Sequence, residues 1–258
     1  MIGHVKHKRT VIAGDIHVPF QDDKAVDLWI KFLEWYKPEV LVLNGDIIDC
    51  FGISKFTRSP LEGKRLKEEI EDTKALLARI VAATPKCTRY YVFGNHENRL
   101  HKFMANNAQE IYELIALEDL LGLGRNFIIV NGSNVENIIK LNDLYVGHWN
   151  RVSKHSSYTV KNIMADRGVN VVQSHTHRLG FYTVRYLDRT IYGWEIGCLC
   201  DINPDYVVSP NWQLGFAVIE PYSAGKQMNF YLIKINDSNG YYSFRYGRKT
   251  FKVRKEEV

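Results

Sequence analysis

Three times between Arg9 and Asn95 a short apolar run breaks off on glycine followed by aspartate or asparagine. Arg9 to Ala13 runs into Gly14-Asp15, Val40 to Leu43 into Asn44-Gly45-Asp46, and Arg89 to Phe93 into Gly94-Asn95. The segments between them carry helical periodicity. From Asp22 to Tyr36, Ala25, Leu28, Trp29, Phe32 and Leu33 share one face, and Lys37-Pro38 stops the helix. From Pro60 to Ala83, Leu66, Ile70, Leu76, Leu77 and Ile80 make the apolar side, and Pro85 ends it. Strand alternating with helix predicts a mostly parallel sheet covered by helices. Ligands of such sheets gather at the carboxyl ends of the strands. Asp15, Asp46 and Asn95 are therefore expected side by side at one edge.

The second half has a different grain. A helix is expected over Gln109 to Leu121. Strands are expected at Phe127 to Val130, Ile138 to Val146, Val169 to Gln173, Gly180 to Leu187, Thr190 to Ile196, Phe216 to Ile219, Asn229 to Ile235 and Tyr241 to Tyr246. One further helix is expected, near Ser156 to Arg167. This reads as a second sheet. The 258 residues carry no internal repeat, low-complexity stretch or linker, so one domain over residues 1–258 is expected.

Five short motifs follow one another along the chain: Asp15-Ile-His17, Gly45-Asp46-Ile-Ile-Asp49, Gly94-Asn95-His96-Glu97, Gly147-His148 and His175-Thr-His177. Each follows an apolar run that reads as a strand. An aspartate at the end of a buried strand is costly unless it is paired, hydrogen-bonded or coordinated. Capping the next helix is the plain alternative for Asp15 and Asp46. His175 and His177 are two apart, so an extended backbone turns both to one side. His148 ends the run Leu144-Tyr-Val-Gly147, with His155 as the fallback. Oxygen and imidazole donors gathered in this way suit divalent Mn, Fe or Zn.

These motifs resemble those of the calcineurin-like metallophosphoesterases, from about Arg9 to about Leu179. The resemblance implies a four-layer α/β/β/α sandwich of two mixed sheets. It implies a first ion held by Asp15, His17, Asp46 and His177, and a second held by Asp46, Asn95, His148 and His175, with Asp46 bridging. Two divalent ions are implied, Mn first, with Fe, Zn or Ni as alternatives. Such pairs stand about 3.5–4 Å apart, and a hydroxide they share attacks phosphorus. His96 is left to protonate or stabilise the leaving oxygen, with Asp49 orienting it. Two positions depart from the pattern: Ser174 stands where glycine is usual, and Trp149 follows His148 where glycine is usual.

The substrate is less clearly written. Ser/Thr protein phosphatases of this superfamily carry Arg-Gly after the second motif's last aspartate, and this chain has Cys50-Phe51. Loss of that arginine weakens the protein-phosphatase reading. Phe51, Arg58 and Arg99 are the candidate substrate-binding residues, one to stack a base and two to hold phosphate. The stretch Cys50 to Pro60 is similar to that of phage- and prophage-encoded metallophosphoesterases. The leading expectation is a metal-dependent phosphodiesterase acting on DNA or nucleotides. The alternatives are a phosphomonoesterase on a small molecule or phosphoprotein, and a non-catalytic scaffold on the same fold.

The net charge of +5 leans weakly toward a polyanionic partner. Much of the excess lies in a basic tail, residues 241–258, which reads equally as a frayed, solvated end or a nucleic-acid contact. Cys50, Cys87, Cys198 and Cys200 form no Cys-x-x-Cys pair, which argues against a zinc ribbon and for free thiols. With neither a signal peptide nor a membrane span in view, a cytoplasmic protein is expected, in the host cytoplasm if phage-encoded. Nothing in the chain indicates an oligomeric state.

Overall fold

The structure is a computed structural model and describes residues 4–5, 8–54, 65–131, 137–204, 209–222 and 227–255. In chain order the first half contains β1 (His4–Val5), β2 (Thr10–Ala13), α1 (Asp23–Tyr36), β3 (Val40–Asn44), α2 (Leu66–Ala83), β4 (Thr88–Val92), α3 (Asn98–Asn107), α4 (Leu117–Leu120) and β5 (Ile128–Val130). The second half contains β6 (Ile138–Leu141), β7 (Leu144–Gly147), α5 (Tyr158–Arg167), β8 (Asn170–Gln173), β9 (Leu179–Arg185) and β10 (Thr190–Ile196). It closes with β11 (Gly215–Tyr222), β12 (Gln227–Lys234), β13 (Asn236–Ser238), β14 (Tyr241–Tyr246) and β15 (Lys249–Arg254).

Two six-stranded mixed sheets result. One runs β12-β11-β2-β3-β4-β5 and the other β1-β6-β7-β8-β10-β9. Strands β2 to β5 are mutually parallel, as are β7 and β8. Residue alternation stacks the sheets. Ile12, Val40, Val42 and Val92 of the first face Ile139, Leu141, Val146 and Val172 of the second in one buried core. The opposite face of the first sheet, with Val11, Leu41, Leu43 and Tyr91, packs on α1 and α2. On the outer face of the second, Val171 and Ile191 meet Val160, Ile163 and Met164 of α5. This is the expected α/β/β/α layering.

Several elements differ from expectation, each for a local reason. The helix expected over Gln109 to Leu121 is a short 3-10 segment (Gln109–Leu114) followed by the single turn α4, and α3 precedes both. Only Leu100 and Met104 of α3 are buried, one turn apart, so its apolar stripe is thin. The run Ile138 to Val146 is a hairpin, split where Asn142 takes the left-handed conformation at φ 53°. The basic tail is no frayed end through residue 255. Strands β14 and β15 pair, and Tyr242, Phe244 and Phe251 are buried while the charges between them face water.

Phe32 of α1 ties this hairpin to the domain. Its ring centroid lies 5.2 Å from Phe216, 5.6 Å from Phe244, 5.3 Å from Phe251 and 5.1 Å from Tyr36. It is fully buried. Phe32→Ala is expected to lower stability by about 3–5 kcal/mol, read as a fall in the urea midpoint at constant slope.

Candidate metal centre

All five motifs lie at the carboxyl ends of parallel strands. Asp15 follows β2, Asp46 follows β3, Asn95 follows β4, His148 follows β7 and His175 follows β8. There the chain must turn back on itself within one or two residues. Asp15, His17, Asp46, Cys50, His175 and His177 all take the left-handed conformation, with φ from 51° to 71°. Such a conformation costs a residue with a side chain about 1–3 kcal/mol and persists where its surroundings over-determine it. The glycines of the motifs allow the close approach. A Cβ on Gly45 would sit 2.5 Å from His148 Nδ1, and one on Gly94 would collide with Asp46 Oδ1.

The turns aim their side chains at one small volume. Asp15, His17 and His177 form one group, and Asp46, His148 and His175 another, the donor atoms of each lying within 4.8 Å of one another. His17 Nε2 is 3.1 Å from His177 Nε2, and His148 Nε2 is 3.1 Å from His175 Nδ1. Asn95 Oδ1 is 3.1 Å from His148 Nε2. Asp46 Oδ2 stands between the groups, 3.0 Å from His148 Nε2 and 3.9 Å from His17 Nε2. Donors about 2.0–2.2 Å from a shared ion lie about 3 Å apart. The separations and the N/O donor set fit a pair of divalent ions.

Beside these groups, Asp49 Oδ2 receives His17 Nδ1 at 3.0 Å and approaches His96 Nδ1 at 3.2 Å. His96 Nδ1 also lies 3.0 Å from the Asp49 carbonyl oxygen. Arg99 donates Nη1 to both Asp49 O and Oδ1 at 2.9 Å, and its Nη2 is 2.9 Å from His96 Nε2. One carboxylate thus orients three groups.

Burial and charge pull against one another here. Burial would raise the Asp46 carboxyl, but the imidazoles of His148 and His96 hold it well below the usual carboxylate range. Burial opposes protonation of His148, yet the Asp46 carboxylate overrides it and lifts the ring to about 10. Partial burial and the neighbouring His148 lower His175 to about 4. His96 is raised: burial lowers it, Asp46 and Asp49 outweigh that, and Arg99 opposes them. The buried aspartates thus favour positive charge in the cavity. Divalent ions binding there would displace protons.

Two residues in or beside the motifs have supporting roles that motif reading did not assign. Buried Glu97 accepts from the backbone N–H groups of Asp46 (2.9 Å), Ile47 (2.8 Å) and Gly94 (2.8 Å), and from Tyr91 Oη (3.0 Å). It locks the second motif to the third. Asn44 donates Nδ2 to Gly147 O (3.0 Å) and Ser174 Oγ (2.8 Å), and its carbonyl lies 3.0 Å from His148 Nδ1. Ser174, which departs from the family's glycine, is thus a hydrogen-bonding partner between the sheets. The signal for both was their place inside the motifs.

The fold brings Asp15, His17, Asp46, Asp49, Asn95, His96, His148, His175 and His177 together. His155, the fallback, is exposed and packs on Tyr158 instead. Phe51 is half-buried, its ring centroid 5.2 Å from Phe20. Arg99 serves Asp49 and His96. Arg58 lies outside the described residues. Trp212 packs on His177 with ring centroids 4.2 Å apart.

The chain belongs to the calcineurin-like phosphoesterase family, whose model matches residues 8–209. Among known proteins it is similar to the Gene 54 protein of Mycobacterium phage D29, 27% identical over 82% of this chain and 88% of that one. The Gene 54 protein of Mycobacterium phage L5 is 25% identical over the same shares. Among solved structures, a single mutant of Vps29 from Entamoeba histolytica aligns with a TM-score of 0.47 at 14% identity, covering 96% of this chain and 99% of that one. A dimetal phosphatase from Danio rerio aligns with a TM-score of 0.43 at 9% identity, covering 98% and 100%.

Asp46→Ala is expected to abolish uptake of both ions, measured as metal per chain after equilibrium dialysis. A variant that keeps two ions would remove Asp46 from the shared position. Glu97→Gln places an amide donor against backbone N–H groups and is expected to cost about 1–3 kcal/mol. Calorimetry of the melting transition, with and without Mn²⁺, measures it.

Proposed function

We propose that this chain is a dinuclear-metal-dependent phosphodiesterase acting on DNA or nucleotides. The observation that carries the reading is the convergence of two Asp/His groups about Asp46, with His96 standing beside them on Asp49. Asp15, His17, Asp46 and His177 would hold one ion, and Asp46, Asn95, His148 and His175 the other. When bound, such a pair supplies Lewis-acid polarisation of the phosphoryl oxygens and eases formation of a hydroxide nucleophile near neutral pH. Mn²⁺ is the first choice for these ligands, with Fe, Zn or Ni as alternatives.

The chain's own groups do the rest. Asn95, His96 and His175 are partly exposed, so the site is open on that side. His96 keeps one nitrogen on Asp49 and can hand a proton from Nε2 to the leaving oxygen. Arg99 must leave Nε2 for that step. It can trade His96 for a phosphate oxygen while Nη1 stays on Asp49. A diester carries a single negative charge at phosphorus and asks less of an arginine fork than a monoester dianion, which favours the diester. Phe51 with Phe20 on the His17 side, and Trp212 on the His177 side, offer ring faces for bases.

The similarity to mycobacteriophage proteins supports a phage-encoded enzyme working in the host cytoplasm. No helix among the described residues is long and apolar enough to cross a membrane.

The test is hydrolysis of bis-p-nitrophenyl phosphate beside p-nitrophenyl phosphate, with Mn²⁺ and with chelator. A diester preference that chelator removes is expected. A monoester preference would transfer the reading to a phosphomonoesterase, and inertness toward both with every metal would leave a scaffold. His96→Ala is expected to keep both ions yet lose about 10²–10⁴-fold in turnover on a diester with a poor leaving group. The loss should shrink as the leaving group improves. Metal loss in this variant would make His96 a ligand instead.

A further inference from the structure

His177 presents two nitrogens to two different neighbourhoods. Its Nε2 lies 3.1 Å from His17 Nε2 and 3.5 Å from Asp15 Oδ1. Its Nδ1 lies 3.7 Å from Cys200 Sγ, and Cys198 completes a buried group whose three donor atoms lie within 4.8 Å of one another. Two bridges hold the cysteines on either side of a bend at Leu199: Cys198 pairs with Leu214 and Cys200 with Gln21. Leu199 between them joins the core of the first sheet. The backbone of His177 is anchored to the same wall, its carbonyl accepting from Gln213 N at 2.8 Å.

We propose that His177 Nδ1, Cys198 and Cys200 form a separate site for a soft or borderline divalent ion of the zinc or cadmium type. Zinc binds thiolate sulfur at about 2.3 Å and imidazole nitrogen at about 2.0–2.1 Å, so tetrahedral coordination separates S and N by about 3.6 Å. The Cys200–His177 distance of 3.7 Å already matches that edge. Two thiolates select against Mn²⁺ and Mg²⁺, which favour the oxygen donors on the other side of the ring. On binding, each thiol loses its proton to the buffer and donates a sulfur lone pair. A neutral imidazole has one free lone pair. An ion on Nδ1 therefore leaves the proton on Nε2, which can still face Asp15 but has no lone pair left for an ion shared with Asp15 and His17. Soft and hard ions compete for this one ring, a consequence that rests on the ligand set proposed above.

The test is a Co²⁺ titration of the reduced, metal-stripped full chain. A sulfur-to-cobalt charge-transfer absorption is expected to grow to one equivalent. It is expected to be lost in Cys198→Ser and in Cys200→Ser and kept in Cys50→Ser. X-ray absorption at the zinc edge of the unaltered protein, which needs no variant, is expected to show two sulfur neighbours. Absence of both signals, or an absorption that survives in Cys198→Ser and Cys200→Ser, overturns the site. These readouts report sulfur ligation whether or not the protein hydrolyses a diester. Their failure leaves the phosphoesterase reading standing, and an inactive protein that shows them leaves this site standing.

Discussion

Asp15, Asp46 and Asp49 place three buried carboxylates around His17, each with an oxygen 3.0–4.0 Å from a nitrogen of its ring. Uncompensated, that much buried negative charge would unfold the region. The surrounding structure reads as its compensation. Imidazoles crowd Asp46, a guanidinium sits on Asp49, and the amide of His175 donates to both oxygens of Asp15 at 3.1 and 2.8 Å. Glu97 adds a further carboxylate, but backbone N–H groups and the Tyr91 hydroxyl satisfy it. It serves as a fastener and leaves the demand for cations to the aspartates.

Charge alone does not place the groups; backbone geometry does. Six residues at the centre hold left-handed turns that glycine adopts at far lower cost. The stability held in the two-sheet core and the helix layers outweighs that strain. The result is a set of side chains that point where an extended or helical backbone could not send them. The glycines of the motifs sit next to these strained residues and leave room for Asp46 and His148 to pass.

The sheet edges were legible because each early strand is short, apolar and ends on glycine. That placed Asp15, Asp46 and Asn95 together before any coordinates. His175 and His177 were legible as a pair, though not for the reason given by strand alternation: both sit in left-handed turns. The bonds of Glu97 and Asn44 were hidden, because hydrogen bonding to a distant backbone leaves no spacing signal. The four cysteines are free thiols, as expected. The spacing gave no sign that Cys198 and Cys200 lie beside His177, over twenty residues away. The first strand of the closing hairpin was legible over Tyr241 to Tyr246, whereas β15 was obscured because Lys249, Lys252 and Arg254 are interleaved with Thr250, Phe251 and Val253.

Asp15, Asp46 and Asn95 hang from one sheet, and His148, His175 and His177 from the other. The gap between donors is therefore the gap between sheets, set by the packing of Val42 and Val92 against Val146 and Val172 and bolted by Asn44. The centre behaves like the jaws of a calliper whose pivot is the hydrophobic core. Methyl groups far from any ligand thereby set the bite of the site. A core that loosens would move the donors of one sheet against those of the other without touching a single ligand.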